Sequence, residues 1–275
     1  MPSTLQKLSR HDGPYGPLPG VQKGIPRDSG RVVLRADPSS PDAWLRSTAM
    51  NLGNMLVCTS LDEWSSPEAD NHQGLLVDRS MDPLRWQYVA DQLLKKRKGK
   101  GDTLHKLIMS VDAPEAELQD KLQDAAMSLT QDLPPELAKI VSEDAQAMAS
   151  VVHKMVPDAT EIIMKLELFA EGVCSRWHED NYVCRSLVSY NCSGTEYTAD
   201  SNVDFHELYY CGNNDCIIKD KSQLRSANVG DIVMIKGSKF PGKAKALVHK
   251  SPEVAYYDTG DVQARLLLKV DILDF

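Results

Sequence analysis

The sequence predicts an α+β fold in which a helical region supports a C-terminal jelly roll, that is, a cupin-like double-stranded β-helix. Three observations predict it. Residues 1–40 are rich in proline, glycine and serine and are expected to form an irregular arm. Residues 41–158 carry apolar side chains mostly at helical spacing, and residues 159–275 contain short apolar runs separated by glycine. Helices followed by about eight short strands are typical of a jelly roll with helices packed on one sheet.

Three helices are predicted between residues 41 and 158. The first begins at Asp82, a capping residue that precedes a proline at the first helical position. The second begins at Asp112 and continues through Leu129. The third runs from Pro135 to about Met155, because its apolar residues recur at nearly helical spacing.

After Pro157 the hydrophobic period changes from that of a helix to that of a strand. Apolar residues occupy every second position from Ile162 to Leu168, with the polar Lys165 and Glu167 among the residues between them. Successive side chains of a strand point to opposite faces of its sheet. The pattern therefore predicts a strand with one buried face and begins the jelly-roll core.

Composition excludes several classes of function. With 42% hydrophobic and 25% charged residues, the chain has the composition of an ordinary globular protein. Its formal net charge of −8 disfavours nucleic acid as a partner, because nucleic-acid affinity depends on neutralising phosphates. No apolar run approaches the roughly 20 residues that span a bilayer, and the N-terminus has no apolar signal segment. We expect a cytoplasmic protein that does not enter membranes.

Residues 176–180 read Arg-Trp-His-Glu-Asp and contain the strongest indication of chemistry. On a strand, His178 and Asp180 point to the same side, where an imidazole and a carboxylate can bind one metal ion. The best candidate for a third ligand is His249. Two histidines and one carboxylate form the facial triad of non-haem Fe(II) oxygenases, which leaves coordination positions open. These three residues are the predicted metal ligands and catalytic centre.

The C-terminal part of the chain resembles the Fe(II)/2-oxoglutarate-dependent dioxygenases, in particular the prolyl-4-hydroxylase-like branch. Five stretches carry the resemblance, in the order that the family shows. They are residues 166–172, 177–180, 185–191, 194–197 and 229–235, followed by His249 and by Arg265.

The resemblance implies a cofactor and a cosubstrate. Fe(II) would be held by the two histidines and Asp180, and 2-oxoglutarate would be anchored by Arg265 on the last strand. Tyr190 is a further candidate cosubstrate ligand, and the alternative is a packed aromatic residue whose hydroxyl is hydrogen-bonded. Arg265 follows His249 by more residues than is common in the family, and Leu267 stands where the family has serine. Lys269, four residues after Arg265, is the alternative anchor, although arginine binds a carboxylate through two parallel hydrogen bonds and lysine does not.

In such enzymes O2 and 2-oxoglutarate are consumed while a C–H position of the substrate is hydroxylated, desaturated or cyclised. The retained carboxylate of Asp180 disfavours halogenation, because halogenases of this class lack it. The substrate is expected to be a small molecule or of amino-acid type. Two alternatives remain open: a metal-dependent oxygenase that uses no 2-oxoglutarate, and a non-catalytic jelly roll that binds a metal or ligand.

Six cysteines occur in the sequence, and without a signal segment reduced thiols are expected. His206, Cys211 and Cys216 are evenly spaced and are candidate ligands for a structural zinc ion. They provide only three ligands and lack a Cys-x-x-Cys pair, so the sequence favours zinc here only weakly.

Overall fold

Two β-sheets and a layer of helices make up the fold in the computed structural model, which describes residues 54–79, 81–171 and 175–275. The helices are α1 (Gln87–Lys96), α2 (Glu115–Leu129), α3 (Pro135–Met155) and the short α4 (Asn214–Ile217). The strands are β1 (Met55–Cys58), β2 (Gly74–Val77), β3 (Asp102–Ser110), β4 (Glu161–Phe169), β5 (Cys184–Ser189), β6 (Glu196–Tyr197), β7 (Arg225–Ser226), β8 (Ile232–Lys236), β9 (His249–Lys250) and β10 (Arg265–Ile272). The fold is therefore mixed α and β.

Seven strands form the large sheet, in the order β1-β2-β8-β5-β10-β4-β3. All neighbours in it are antiparallel except β1 and β2. The small sheet has the order β7-β6-β9. His178 extends it through an antiparallel bridge to His249 on the free side of β9.

The helix-facing side of the large sheet is apolar. Every second residue of the central strands β4 and β10 points to this side, as the pleat of a strand requires. These residues join one buried cluster with the apolar faces of α1, α2 and α3. They are Ile162, Met164, Leu166 and Leu168 of β4 and Leu266, Leu268, Val270 and Ile272 of β10.

The inner face of the large sheet is its other side, which packs against the small sheet. Leu187 of β5 and Leu267 of β10 meet Tyr197 of β6 and Leu247, which precedes β9, in a second buried cluster. Most of the other inward-facing residues of β4 and β10 are charged. The charged ones away from the strand start are Lys165, Glu167, Arg265, Lys269 and Asp271.

The prediction of a mostly helical region before residue 159 was incomplete. Strands β1, β2 and β3 lie within it and join the large sheet. A short apolar run cannot be assigned to strand or helix by its period alone, which is why β1 and β2 were missed. The first two helices begin a few residues later than predicted, and α3 has the predicted bounds. The predicted arm, residues 1–40, and the first part of the predicted helical region, residues 41–53, lie outside the described residues.

None of the helices in the described ranges combines the length and the apolar character that a membrane span requires.

Candidate metal centre

The backbones of His178 and His249 pair directly and bring the two imidazoles together. Each residue donates its amide N–H to the carbonyl oxygen of the other, at 3.0 Å in both directions. Their neighbours Trp177 and Val248 are buried in an apolar cluster on the outer side of the small sheet. Because side chains alternate along a strand, both imidazoles point inward, and their ring centroids lie 4.4 Å apart.

The second nitrogen of each imidazole is fixed by a carbonyl oxygen two residues earlier. Nδ1 of His178 lies 2.8 Å from the carbonyl oxygen of Arg176, and Nδ1 of His249 lies 3.0 Å from that of Leu247. A carbonyl oxygen only accepts hydrogen bonds, so Nδ1 carries the proton in each neutral ring. Both Nε2 lone pairs are therefore available to a metal ion.

Asp180 completes the group of three. One carboxylate oxygen lies 3.6 Å from Nε2 of His178, and the other lies 3.7 Å from Nε2 of His249. These distances are longer than a hydrogen bond. An ion at about 2.0 to 2.2 Å from each donor atom fits between them. The three residues that the sequence predicted as ligands thus offer donor atoms within 4.8 Å of one another.

A backbone contact holds Asp180 in place. Its carbonyl oxygen accepts a hydrogen bond from the amide of Ser238, just after β8. The preceding Gly237 permits this approach, because a Cβ atom there would lie 2.1 Å from the carbonyl oxygen of Tyr182. Glycine at this position therefore lets the end of β8 pass close beside the loop that contains Asp180.

The protonation states of His249 and Asp180 suit metal binding. Burial lowers the pKa of His249 to about 4, which keeps its imidazole neutral. Burial opposes ionisation of Asp180, but the neighbouring His178 and Arg185 outweigh it and hold the pKa of its carboxyl well below the usual range. For His178 burial acts to lower the pKa, and the Asp180 carboxylate raises it above its ordinary value. The group thus contains a neutral imidazole and an ionised carboxylate, as metal ligands require.

Arg185 of β5 connects Asp180 to the large sheet. Its Nη1 donates to Oδ2 of Asp180 at 3.1 Å, and its Nε donates to Oδ1 of Asp271 on β10 at 2.8 Å. Lys165 of β4 donates to the other oxygen of Asp271 at 2.7 Å. A buried chain of alternating charges therefore orients the carboxylate. The sequence motifs assigned no role to Arg185 or Asp271, because the two are distant in sequence and become neighbours only through the pairing of β5 with β10.

Arg265 lies at the opposite end of β10 from Asp271. Its guanidinium is buried and donates to the hydroxyl of Ser189 at 2.7 and 3.1 Å. Among the described residues it forms no ion pair with a carboxylate. Burial lowers its pKa to about 10. It lines a cavity of about 20 Å³, the size of roughly one water molecule. A buried cation with only a hydroxyl partner is suited to receive an anion.

The other two candidate cosubstrate residues have partners of their own. Nζ of Lys269 lies 2.6 Å from the Glu167 carboxylate, so its charge is already compensated. The hydroxyl of Tyr190 donates to Asp144 of α3 at 2.8 Å. Tyr190 therefore points to the helix-facing side of the sheet, and the structure does not bring it together with the three predicted ligands.

A larger groove, of about 520 Å³, lies between α2 and α3. None of the candidate site residues lines it.

Comparison with known proteins gives weak likenesses to solved structures. A full-length protein of Neurospora crassa, solved in complex with alpha-KG, matches with 12% identity and a TM-score of 0.37, over 80% of this chain and 83% of that one. A prolyl-4-hydroxylase of Pseudomonas putida matches with 10% identity and a TM-score of 0.31, over 78% of this chain and 97% of that one. None of the curated proteins matches. The model of the family described as "Protein of unknown function (DUF1826)" matches residues 62–271, so the chain belongs to the DUF1826 family.

Proposed function

We propose that the protein is a non-haem Fe(II)- and 2-oxoglutarate-dependent oxygenase acting on a small molecule or amino-acid-type substrate. The observation that carries the proposal is the convergence of two Nε2 atoms and one carboxylate, from His178, His249 and Asp180, within 4.8 Å of one another. This donor set is that of the facial triad. The motif order from residue 166 to Arg265, which resembles that of the dioxygenases, supports the cosubstrate.

The strand order supports a double-stranded β-helix as the core, formed by residues 159–275. From β4 onward the chain visits the large sheet with β4, β5, β8 and β10 and the small sheet with His178, β6, β7 and β9. Alternation between two facing sheets is the arrangement of a jelly roll. In the described part of the predicted supporting region 41–158, the helices α1, α2 and α3 would then support this core, and β1, β2 and β3 would extend its large sheet.

The protein's own residues have separate roles in this proposal. The Arg176 and Leu247 carbonyls fix the imidazole tautomers, so that both Nε2 atoms point to the ion. Arg185 orients the Asp180 carboxylate. Fe(II) and 2-oxoglutarate, when bound, would supply the oxidation, in which O2 is consumed, the cosubstrate becomes succinate and CO2, and one oxygen atom enters a substrate C–H bond.

Arg265 would anchor the distal carboxylate of 2-oxoglutarate. The support is its buried guanidinium, which has a hydroxyl partner but no ion-pair partner among the described residues. A bound carboxylate would compensate that charge through two parallel hydrogen bonds. The cavity beside it is small, so binding would require neighbouring side chains to move. Lys269 fits the role less well because it already pairs with Glu167.

Anaerobic titration with Fe(II) and then 2-oxoglutarate tests the proposal. A chelate of the two gives a weak visible charge-transfer band, which we expect in the wild type and not in His178→Ala. Arg265→Met should require a higher 2-oxoglutarate concentration. On admission of O2 the wild type should form succinate, even slowly and without its natural substrate.

The other possible outcomes select the alternatives. Tight Fe(II) binding without the band, together with O2 consumption that is independent of 2-oxoglutarate, would indicate an oxygenase that binds its substrate directly. Fe(II) binding without any O2 consumption would indicate a non-catalytic metal-binding protein. If Fe(II) binds equally well to His178→Ala, the triad is not the metal site and the proposal fails.

A further inference from the structure

A second group of metal-binding side chains lies outside the triad, on the segment between β6 and β7. The carboxylate of Glu207 and the thiols of Cys211 and Cys216 place their donor atoms within 4.8 Å of one another. Glu207 and Cys211 are the first and last residues of a π-helical turn, and Cys216 lies on α4, which follows it. Both cysteines are free and exposed. From this geometry we infer a second metal site that takes a thiophilic divalent cation, Zn²⁺ above all.

The dimensions suit such an ion. Zinc binds thiolate sulfur at about 2.3 Å and carboxylate oxygen at about 2.0 to 2.2 Å, so the ligand atoms around one tetrahedral ion are separated by about 3 to 4 Å. The observed cluster requires only small side-chain adjustment to reach this. Thiolates select zinc over hard cations such as Mg²⁺. Three protein ligands leave the fourth position to water, and the exposure of the thiols provides a path of entry.

The sequence pointed to His206 as the third ligand, and the structure replaces it with Glu207. Nδ1 of His206 lies 3.9 Å from the Glu207 carboxylate, and its ring lies beside that of Tyr210. A π-helical turn has one more residue than an α-helical turn between hydrogen-bonded groups, and it closes here with the amide of Gly212 donating to the Glu207 carbonyl. The turn brings Glu207 and Cys211 to the same side, where Cys216 meets them.

The inferred zinc segment, residues 207–217, is hydrogen-bonded to residues 175–179, which contain His178. Asn214 accepts a hydrogen bond from the Trp177 amide at 3.0 Å and donates to the Ser175 carbonyl at 2.7 Å. The Tyr209 hydroxyl donates to Glu179 at 2.7 Å. An ion that joins the π-helical turn to α4 would therefore hold the segment rigid against residues 175–179.

Cobalt(II) substitution in the reduced, full-length protein tests the inference separately from the proposed function. Co²⁺ bound by thiolate gives an intense sulfur-to-metal charge-transfer band in the near ultraviolet, whereas the triad contains no sulfur. We expect the band in the wild type and in His178→Ala, and its loss in Cys211→Ser and Cys216→Ser. His206→Ala and Asp215→Asn are matched controls, because both remove a potential ligand of the same segment outside the cluster, and both should retain the band.

Zinc content, measured in the same set of proteins, should fall in the two cysteine variants and stay at the wild-type level in the others. Substitution of either cysteine should weaken zinc binding at least tenfold, since even outer-shell partners of a metal typically contribute about 10- to 100-fold. Absence of the band in reduced wild-type protein saturated with cobalt would overturn the inference without any variant. Persistence of the band in both cysteine variants would place the thiolate ligands elsewhere and overturn it equally.

Discussion

The two faces of strand β10 differ sharply, although they belong to the same eight residues. Leu266, Leu268, Val270 and Ile272 face the helices and are fully buried among apolar side chains. Arg265, Leu267, Lys269 and Asp271 face inward, and three of these four are charged. One face thus provides the core and the other provides buried charge, which is costly to keep away from water unless it has partners.

The partners differ along the inner face as well. Asp271 has Arg185 and Lys165, and Lys269 has Glu167. Arg265 has only a hydroxyl among the described residues. In our account the compensated end supports the metal ligands and the uncompensated end receives the cosubstrate. The helix-facing residues of β10 thus hold the fold, and its inward-facing residues serve the two proposed ligands.

The largest expected effect is the loss of iron binding in His178→Ala. Removing one of three ligands should weaken Fe(II) binding by more than the 10- to 100-fold typical of outer-shell residues. The imidazole is partly exposed and belongs to no apolar core, so the unfolding free energy without metal should change little. Equilibrium dialysis with Fe(II) and denaturant unfolding measure the two quantities. A variant that binds iron as the wild type does would contradict the account.

Leu268→Ala should lower the stability of the protein and leave iron binding unchanged, which is the reverse of His178→Ala. Leu268 is fully buried on the helix-facing side, and a cavity there should lower the unfolding free energy by about 2 to 5 kcal/mol. Iron binding per folded molecule should be unchanged, because the metal ligands lie on the other side of the sheet. Denaturant unfolding followed by fluorescence, with iron dialysis in native buffer, measures both. Lost iron binding in folded protein would show that the two faces are not independent.

Arg265→Met tests whether the end of the inner face without an ion pair binds 2-oxoglutarate. Loss of a charge-assisted pair should weaken 2-oxoglutarate binding by about 1.5 to 3 kcal/mol, roughly 10- to 150-fold. The ligand-free protein should be as stable as the wild type or more stable, because an uncompensated buried cation has been removed. Calorimetric titration with the anaerobic iron-loaded protein measures the affinity.

Lys269→Met is the matched control for Arg265→Met. It leaves Glu167 without its partner at 2.6 Å, so it should destabilise the fold and change 2-oxoglutarate affinity little. If Lys269→Met weakened 2-oxoglutarate binding and Arg265→Met did not, Lys269 would be the anchor.

The smallest expected effect concerns Lys236, a buried cation of β8 on the helix-facing side. Its Nζ donates to the Ala69 carbonyl and lies over the Phe240 ring, and burial lowers its pKa to about 8. The unfolded chain keeps the proton up to about pH 10.5, so between these pH values the unfolded state binds more protons and stability rises with pH. Between pH 8 and pH 10.5, the unfolding free energy of the wild type should rise by about 1 to 3 kcal/mol more than that of Lys236→Met. Equal pH dependence of the two unfolding free energies would show that the lysine is not desolvated.

Local patterns in the sequence predicted part of this molecule. The bounds of α3 and the alternation of β4 follow from hydrophobic period. The donor atoms of His178 and Asp180 lie close together, but the two residues do not share a strand: His178 forms a single bridge to His249, and Asp180 lies in the loop that follows. Arg185 and Asp271 could not be assigned, because their contact depends on the antiparallel register of β5 and β10. Glu207, and not His206, lies beside Cys211 and Cys216 because of a π-helical turn, which leaves no pattern in the sequence.

Anomalous diffraction at the iron edge, from crystals loaded with Fe(II) under anaerobic conditions, would show whether His178, Asp180 and His249 hold the iron. The account predicts an anomalous peak at about 2.0 to 2.3 Å from Nε2 of His178, Nε2 of His249 and a carboxylate oxygen of Asp180. Iron-loaded crystals with no peak among these three atoms, or with peaks only elsewhere in the molecule, would contradict it.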